Sequence, residues 1–310
     1  MTTPAPDQQP AAPAESPRHE FPATETGADG ARPLSCAELF QAGRVAEAEG
    51  RYEWALEAYR RALRSSPGQH PWHYRSGCTL MKLDRCGEAE IAFLRALELE
   101  PDNGVYLTNL GVCLDRLGRR EEAVRAYRRA TRQGQGTAAA HHNLGAIYAE
   151  EGRTGEAIRA FEAAIAVEPD AEGWQNLGLV HYGLDDFTRA LDCFERSVDC
   201  DARFARGHYY AALCQMKSGI YEDACHRFEM AWKLDPRLAR VPFHLGTCLH
   251  KLARYQEARF SLEQALEFFP EDGRIHYQLA LTCDALGLPQ EARLHYSQAR
   301  AAREGANRTG

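Results

Sequence analysis

Three arginine–aromatic pairs, Arg206/Tyr209, Arg240/Phe243 and Arg274/Tyr277, recur at an interval of 34 residues along this sequence. Each pair is spaced i, i+3, so on a helix its two side chains are neighbours on one face. Arginine and aromatic residues are the types that carry binding hot spots. The planar guanidinium fork also suits carboxylates and phosphates. Lys217 and Lys251 follow the first two pairs and add positive charge. A second row, Asn109, Asn143 and Asn176, recurs at the same kind of interval. A side-chain amide both donates and accepts, so such a row suits a grip on peptide main chain. Both patterns also fit ordinary exposed helix surface, where arginine is common.

Residues that would do catalysis are harder to find. There is no GxGxxG, no Walker loop, no HExxH and no GxSxG. The twelve histidines include the adjacent pair His141-His142, but adjacent residues on a helix point to different faces. His73, His141, His208 and His276 recur in register, which favours packing over chemistry. The ten cysteines form no CxxC and match no zinc spacing. In a reducing compartment they read as small, soft core residues. No catalytic residue, metal or cofactor is expected.

The elements that position these residues follow from a repeat. Segments such as YLTNLGVCLDRLGRREEAVRAYRRA and FHLGTCLHKLARYQEARFSLEQAL align, and eight units fit: 36–69, 70–103, 104–137, 138–170, 171–204, 205–238, 239–272 and 273–303. Position 20 of every unit is alanine, from Ala55 to Ala292, and position 8 is glycine or alanine, as in Gly43, Gly77 and Ala212. Position 24 is large, for example Tyr59, Phe93 and Leu262. Small residues let two helices approach while the large one fills the space between them. Proline at position 32 (Pro67, Pro101, Pro169, Pro236, Pro270) ends a second helix. Gly50, Asp84, Gly118, Gly152, Asp185, Gly219 and Gly287 near position 15 end a first.

A 34-residue helical hairpin with Leu-Gly at 7 and 8, Ala at 20, an aromatic at 24, Ala at 27 and Pro at 32 resembles the tetratricopeptide repeat (TPR) family. The resemblance implies an all-α fold, a right-handed α-solenoid of stacked helix-turn-helix units, with the first helices lining a concave groove. It places Arg206, Tyr209, Arg240, Phe243, Arg274 and Tyr277, and also Asn109, Asn143 and Asn176, on that groove. The asparagine row is similar to the ladder in the TPR superhelix of O-GlcNAc transferases, though Asn-Leu-Gly is also an ordinary TPR string. The carboxylate clamp of chaperone-tail adaptors is absent, because position 5 never holds Lys and position 9 never holds Asn. In the last unit Arg293 and Arg300 replace apolar residues, as a polar cap would.

Composition sets the remaining bounds. Residues 1–35 are rich in Pro and Ala and read as a disordered leader, and 304–310 as a disordered tail. The formal net charge is -7, a poor starting point for phosphate-backbone binding, so no nucleic acid is expected. No apolar run approaches a membrane span and no secretory signal is visible, so no membrane association and a cytoplasmic location are expected. The expected function is a non-catalytic scaffold or adaptor holding a protein or an extended, acidic or C-terminal peptide. The alternative is a regulatory or substrate-recruiting subunit of a separately encoded enzyme, such as a glycosyltransferase or secretion system. Self-association stays open.

Overall fold

The computed structural model of the protein describes residues 34–132 and 137–309, and side chains as far as 305. The leader, apart from Leu34 and Ser35, lies outside the described residues. Within them the chain is all-α, with sixteen helices arranged as consecutive pairs. These are α1 (Cys36–Ala48) with α2 (Tyr52–Ser65), α3 (His70–Lys82) with α4 (Cys86–Leu99), and α5 (Gly104–Arg116) with α6 (Arg120–Thr131). Next come α7 (Ala138–Glu150) with α8 (Thr154–Val167), α9 (Ala171–Gly183) with α10 (Phe187–Cys200), and α11 (Ala205–Lys217) with α12 (Tyr221–Leu234). The last are α13 (Val241–Lys251) with α14 (Tyr255–Phe268), and α15 (Gly273–Ala285) with α16 (Pro289–Thr309).

Side-chain caps fix several helix starts. Ser35 and Glu38 form a capping box on α1, while Asn103, Thr137, Asp170 and Asp272 each accept a backbone N–H at the start of α5, α7, α9 and α15. At the other end of the first helices the backbone turns left-handed, at Gly50, Gly118, Gly152, Gly219 and Gly287, and at Asp84 and Asp185. The seventh hairpin makes the same turn at Ala253, with φ 58. An L-residue in that region costs about 1–2 kcal/mol. Ala253→Gly is therefore expected to stabilise the second unit by about 1 kcal/mol in urea denaturation.

The tight approach inside each hairpin is the position 8/position 24 pair. A Cβ on Gly77 would sit 2.6 Å from the Phe93 ring, and one on Gly178 2.7 Å from the Phe194 ring. Glycine is required there because the ring already occupies the space.

The chain divides into two compact units, up to Ala123 and from Val124 onward, with the division inside α6. In the first unit Tyr59 and Phe93 are fully buried between their helices. In the second, α8, α10, α12 and α14 each pack on their own partner and on the next first helix, as α12 does with α11 and α13. One cluster there joins Phe228, Ala231, Val241 and Leu249 across α12 and α13. Helix α16 runs to Thr309, through residues where the sequence pointed to a tail. It is rich in alanine, a strong helix former, and Arg300 pairs with Glu304 at 2.8 Å one turn on.

Candidate partner-binding surface

Asn109 lies on α5 of the first unit. Its Nδ2 donates to Tyr74 Oη at 3.2 Å and to the Val105 carbonyl at 2.9 Å. Tyr74 stacks on Tyr106 with ring centroids 4.6 Å apart, and Phe40 stacks on Trp72 at 5.0 Å. These rings are partly or fully buried, so they build the wall of the first unit as well as its surface.

In the second unit Asn143 and Asn176 stand on α7 and α9, half-buried. Asn176 Nδ2 lies 2.6 Å from His142 Nε2 of the preceding first helix, so the imidazole nitrogen accepts. Asn143 makes no such contact among the described residues. Two of the three amides are thus partly engaged within the protein.

The arginine–aromatic pairs occupy α11, α13 and α15, and the three arginines differ. Arg206 is exposed and makes no hydrogen bond or ion pair among the described residues. Arg240 is not inside a helix: it is the N-cap of α13, which starts at Val241 with Pro242 behind it. From there its Nη1 donates to Asp272 Oδ2 at 2.6 Å, and its guanidinium lies 4.0 Å above the Phe269 ring. Arg274 grips the same carboxylate, Nε to Oδ1 at 3.1 Å and Nη2 to Oδ2 at 2.9 Å. The Arg274 backbone N–H also donates to Asp272 Oδ1 at 2.9 Å. Asp272, only 13% exposed, thereby joins two rungs of the row. The Arg274 bonds first, then those of Arg240 and the backbone, hold its carboxyl well below the ordinary aspartate range.

The aromatic partners differ too. Tyr209 packs against Tyr210, Phe228 and His244, and burial first, then nearby tyrosines, push its hydroxyl up to about 12. Phe243 is half-buried over the core of α14 and α15, while Tyr277 is 50% exposed. His244 sits within this strip, its ring 5.8 Å from Phe228 and nearly parallel to it. Burial first, then the positive field of Arg240, Arg274 and Lys217, lowers its pKa to about 4. The imidazole stays neutral at ordinary pH.

Three of the in-register histidines have a structural task. Nε2 of His73, His208 and His276 donates to the carbonyl of Pro67, Ala202 and Pro270, at 2.8, 3.1 and 2.9 Å. Each clasps the loop that precedes its own helix. Seven of the cysteines are buried, and all ten are free thiols. Among the described residues no three His, Cys, Asp or Glu side chains gather as a metal site, and no helix is long and apolar enough to cross a membrane.

Serial helical hairpins, each stacked on the next within its unit, define a helical-repeat solenoid. Family models for the tetratricopeptide repeat match residues 39–69, 74–138, 138–171, 175–237 and 245–307. The chain belongs to the tetratricopeptide repeat family. Solved structures agree on the fold. The C-terminal part of a TPR repeat-containing protein from Cytophaga hutchinsonii aligns with TM-score 0.61 and 15% identity, over 77% of this chain and 99% of that one. YrrB, described as a TPR protein with an unusual peptide-binding site, aligns with TM-score 0.54 and 21% identity, over 59% and 95%. MamA aligns with TM-score 0.51 and 19% identity, over 55% and 94%. No curated protein matches significantly.

Proposed function

We propose that the protein is a non-catalytic interaction scaffold whose second unit holds an extended acidic peptide along α11, α13 and α15. The observation that carries this reading is the row of Arg206, Arg240 and Arg274 along α11, α13 and α15, in which Arg206 is exposed and makes no ion pair among the described residues. Beside it lie Tyr209, Phe243 and Tyr277, the aromatic types that anchor partners. Arg206 is the rung with no structural duty, so it is the rung to test. Labelled peptides of equal length, one acidic, one neutral and one basic, are titrated into the full chain and followed by anisotropy. The acidic peptide should bind tightest and lose affinity with added salt. Arg206→Glu should weaken it by about tenfold while the circular dichroism is unchanged. Equal binding of all three, or an affinity indifferent to Arg206→Glu, would sink the reading. Family membership, and the unusual peptide-binding site of YrrB, support a protein or peptide as the partner rather than a small metabolite.

A further inference from the structure

Helix α16 and the start of α15 border a groove. In the seventh hairpin the second helix presents Leu262, Ala265, Leu266 and Phe269, and Ile275 and Leu279 of α15 bury against them. The same four positions in the eighth hairpin are Tyr296, Ala299, Arg300 and Arg303. Among the described residues no helix other than α15 packs on them. They line a groove of about 1290 Å³ together with Phe243, Phe268, Tyr277 and the start of α15, where Glu271 and Asp272 stand beside Arg274. The close approach of α15 and α16 shapes it: a Cβ on Gly273 would lie 3.1 Å from the Ala299 carbonyl and from Ala302 Cβ. The volume exceeds the roughly 300–1,000 Å³ of small-molecule pockets.

Two apolar positions have become arginine, and that selects the occupant. Arg300 is 82% exposed and, among the described residues, pairs only with Glu304, an exposed i, i+4 contact of small worth. Arg303 is exposed and makes no ion pair among the described residues. Phe268, Tyr277 and Tyr296 supply apolar surface beside them. We propose that this groove docks an amphipathic helix of a partner protein, seated on α15 and α16 as α15 is seated on α13 and α14. Its apolar stripe lies on Tyr277, Tyr296 and Ala299, and acidic residues flanking the stripe meet Arg300 and Arg303. The groove shares Phe243, Arg274 and Tyr277 with the inner row, and Arg300 and Arg303 of α16, which that row lacks, set it apart.

The test uses two labelled helical peptides of about five turns, each with a leucine stripe, one flanked by glutamate and the other by lysine. With the full chain, the glutamate peptide should bind at least about tenfold tighter than its lysine twin. In Arg300→Glu/Arg303→Glu the preference should invert, the lysine peptide now binding tighter. Arg303→Glu alone, which breaks no ion pair among the described residues, should remove most of the preference if the double variant misfolds. Arg206→Glu should leave these affinities unchanged, which separates this groove from the inner face. If neither peptide binds, the arginines serve only as a polar cap and the proposal fails. It fails equally if the preference does not invert, or if it disappears in Arg206→Glu.

Discussion

Replacing Asp272 with alanine is expected to cost the second unit about 2 kcal/mol of stability at neutral pH. Two losses add. The first is the N-cap of α15, where Oδ1 accepts the Arg274 backbone N–H at 2.9 Å, a contact whose removal typically costs about 1 kcal/mol. The second is the pairing of Arg240 and Arg274 across one carboxylate. That contribution is held to about 1 kcal/mol because both guanidiniums are more than a third exposed and solvent screens them. Asp272→Asn keeps a capping oxygen and drops the charge, so it should lose roughly half as much. The carboxyl is held far down, so its contribution is complete above the ordinary aspartate range and fades only in stronger acid. Urea denaturation of the three proteins checks the order. Equal stability of all three would show that the carboxylate links nothing. One consequence concerns charge reversal: Arg240→Glu or Arg274→Glu would place a glutamate against Asp272. Such variants report on folding as well as binding, and Arg206 is the cleaner probe.

Acid should weaken the same unit through His244. In the unfolded chain its imidazole takes a proton near pH 6.5, in the folded protein only near 4. Between those values the unfolded chain binds the extra proton, so stability falls as the pH falls. The contribution is complete above about 6.5, some 2 kcal/mol is gone at pH 5, and the loss levels off below about 4. His244→Phe offers a ring of similar shape to Phe228 and Tyr209 and takes no proton. Its stability loss between pH 7 and pH 5 should be smaller than that of the parent protein by about 2 kcal/mol. Hydrogen exchange of the α13 amides at the two pH values gives the comparison. Identical losses in the two proteins would place the acid sensitivity elsewhere.

Much of this architecture is legible in the sequence because the contact that repeats is unforgiving. Gly77 against Phe93 and Gly178 against Phe194 leave no room for a methyl group, so the pair recurs and reveals the 34-residue period. The turn at Ala253 is not legible, since alanine breaks the glycine or aspartate pattern while adopting the same left-handed backbone. The arginine pairs stand out by spacing, but their inequality does not. Arg240 caps α13 instead of lying inside it, because that helix starts two residues later in its repeat than α11 and α15 do. Asp272 went unnoticed because it precedes a helix rather than belonging to one. Asn103, Thr137 and Asp170 hold the matching place before their helices, so a search for capping residues would have found it. The depressed pKa of His244 depends on burial and on three cations from three different helices or caps. No local motif encodes that gathering.

The groove along α16 is likewise not legible, because Arg293 and Arg300 read as a polar cap. Only the packing of α15 on Leu262, Ala265, Leu266 and Phe269 shows what the matching face of α16 would hold.

The central claim is that the inner face of α11, α13 and α15 grips an acidic peptide. Amide hydrogen exchange of the full chain, with and without a saturating acidic peptide, tests it most directly. Protection is predicted to concentrate on α11, α13 and α15, around Arg206, Tyr209, Phe243 and Tyr277, and to be lost in Arg206→Glu. Protection confined to α10, α12 and α14, or no protection at all, would contradict it.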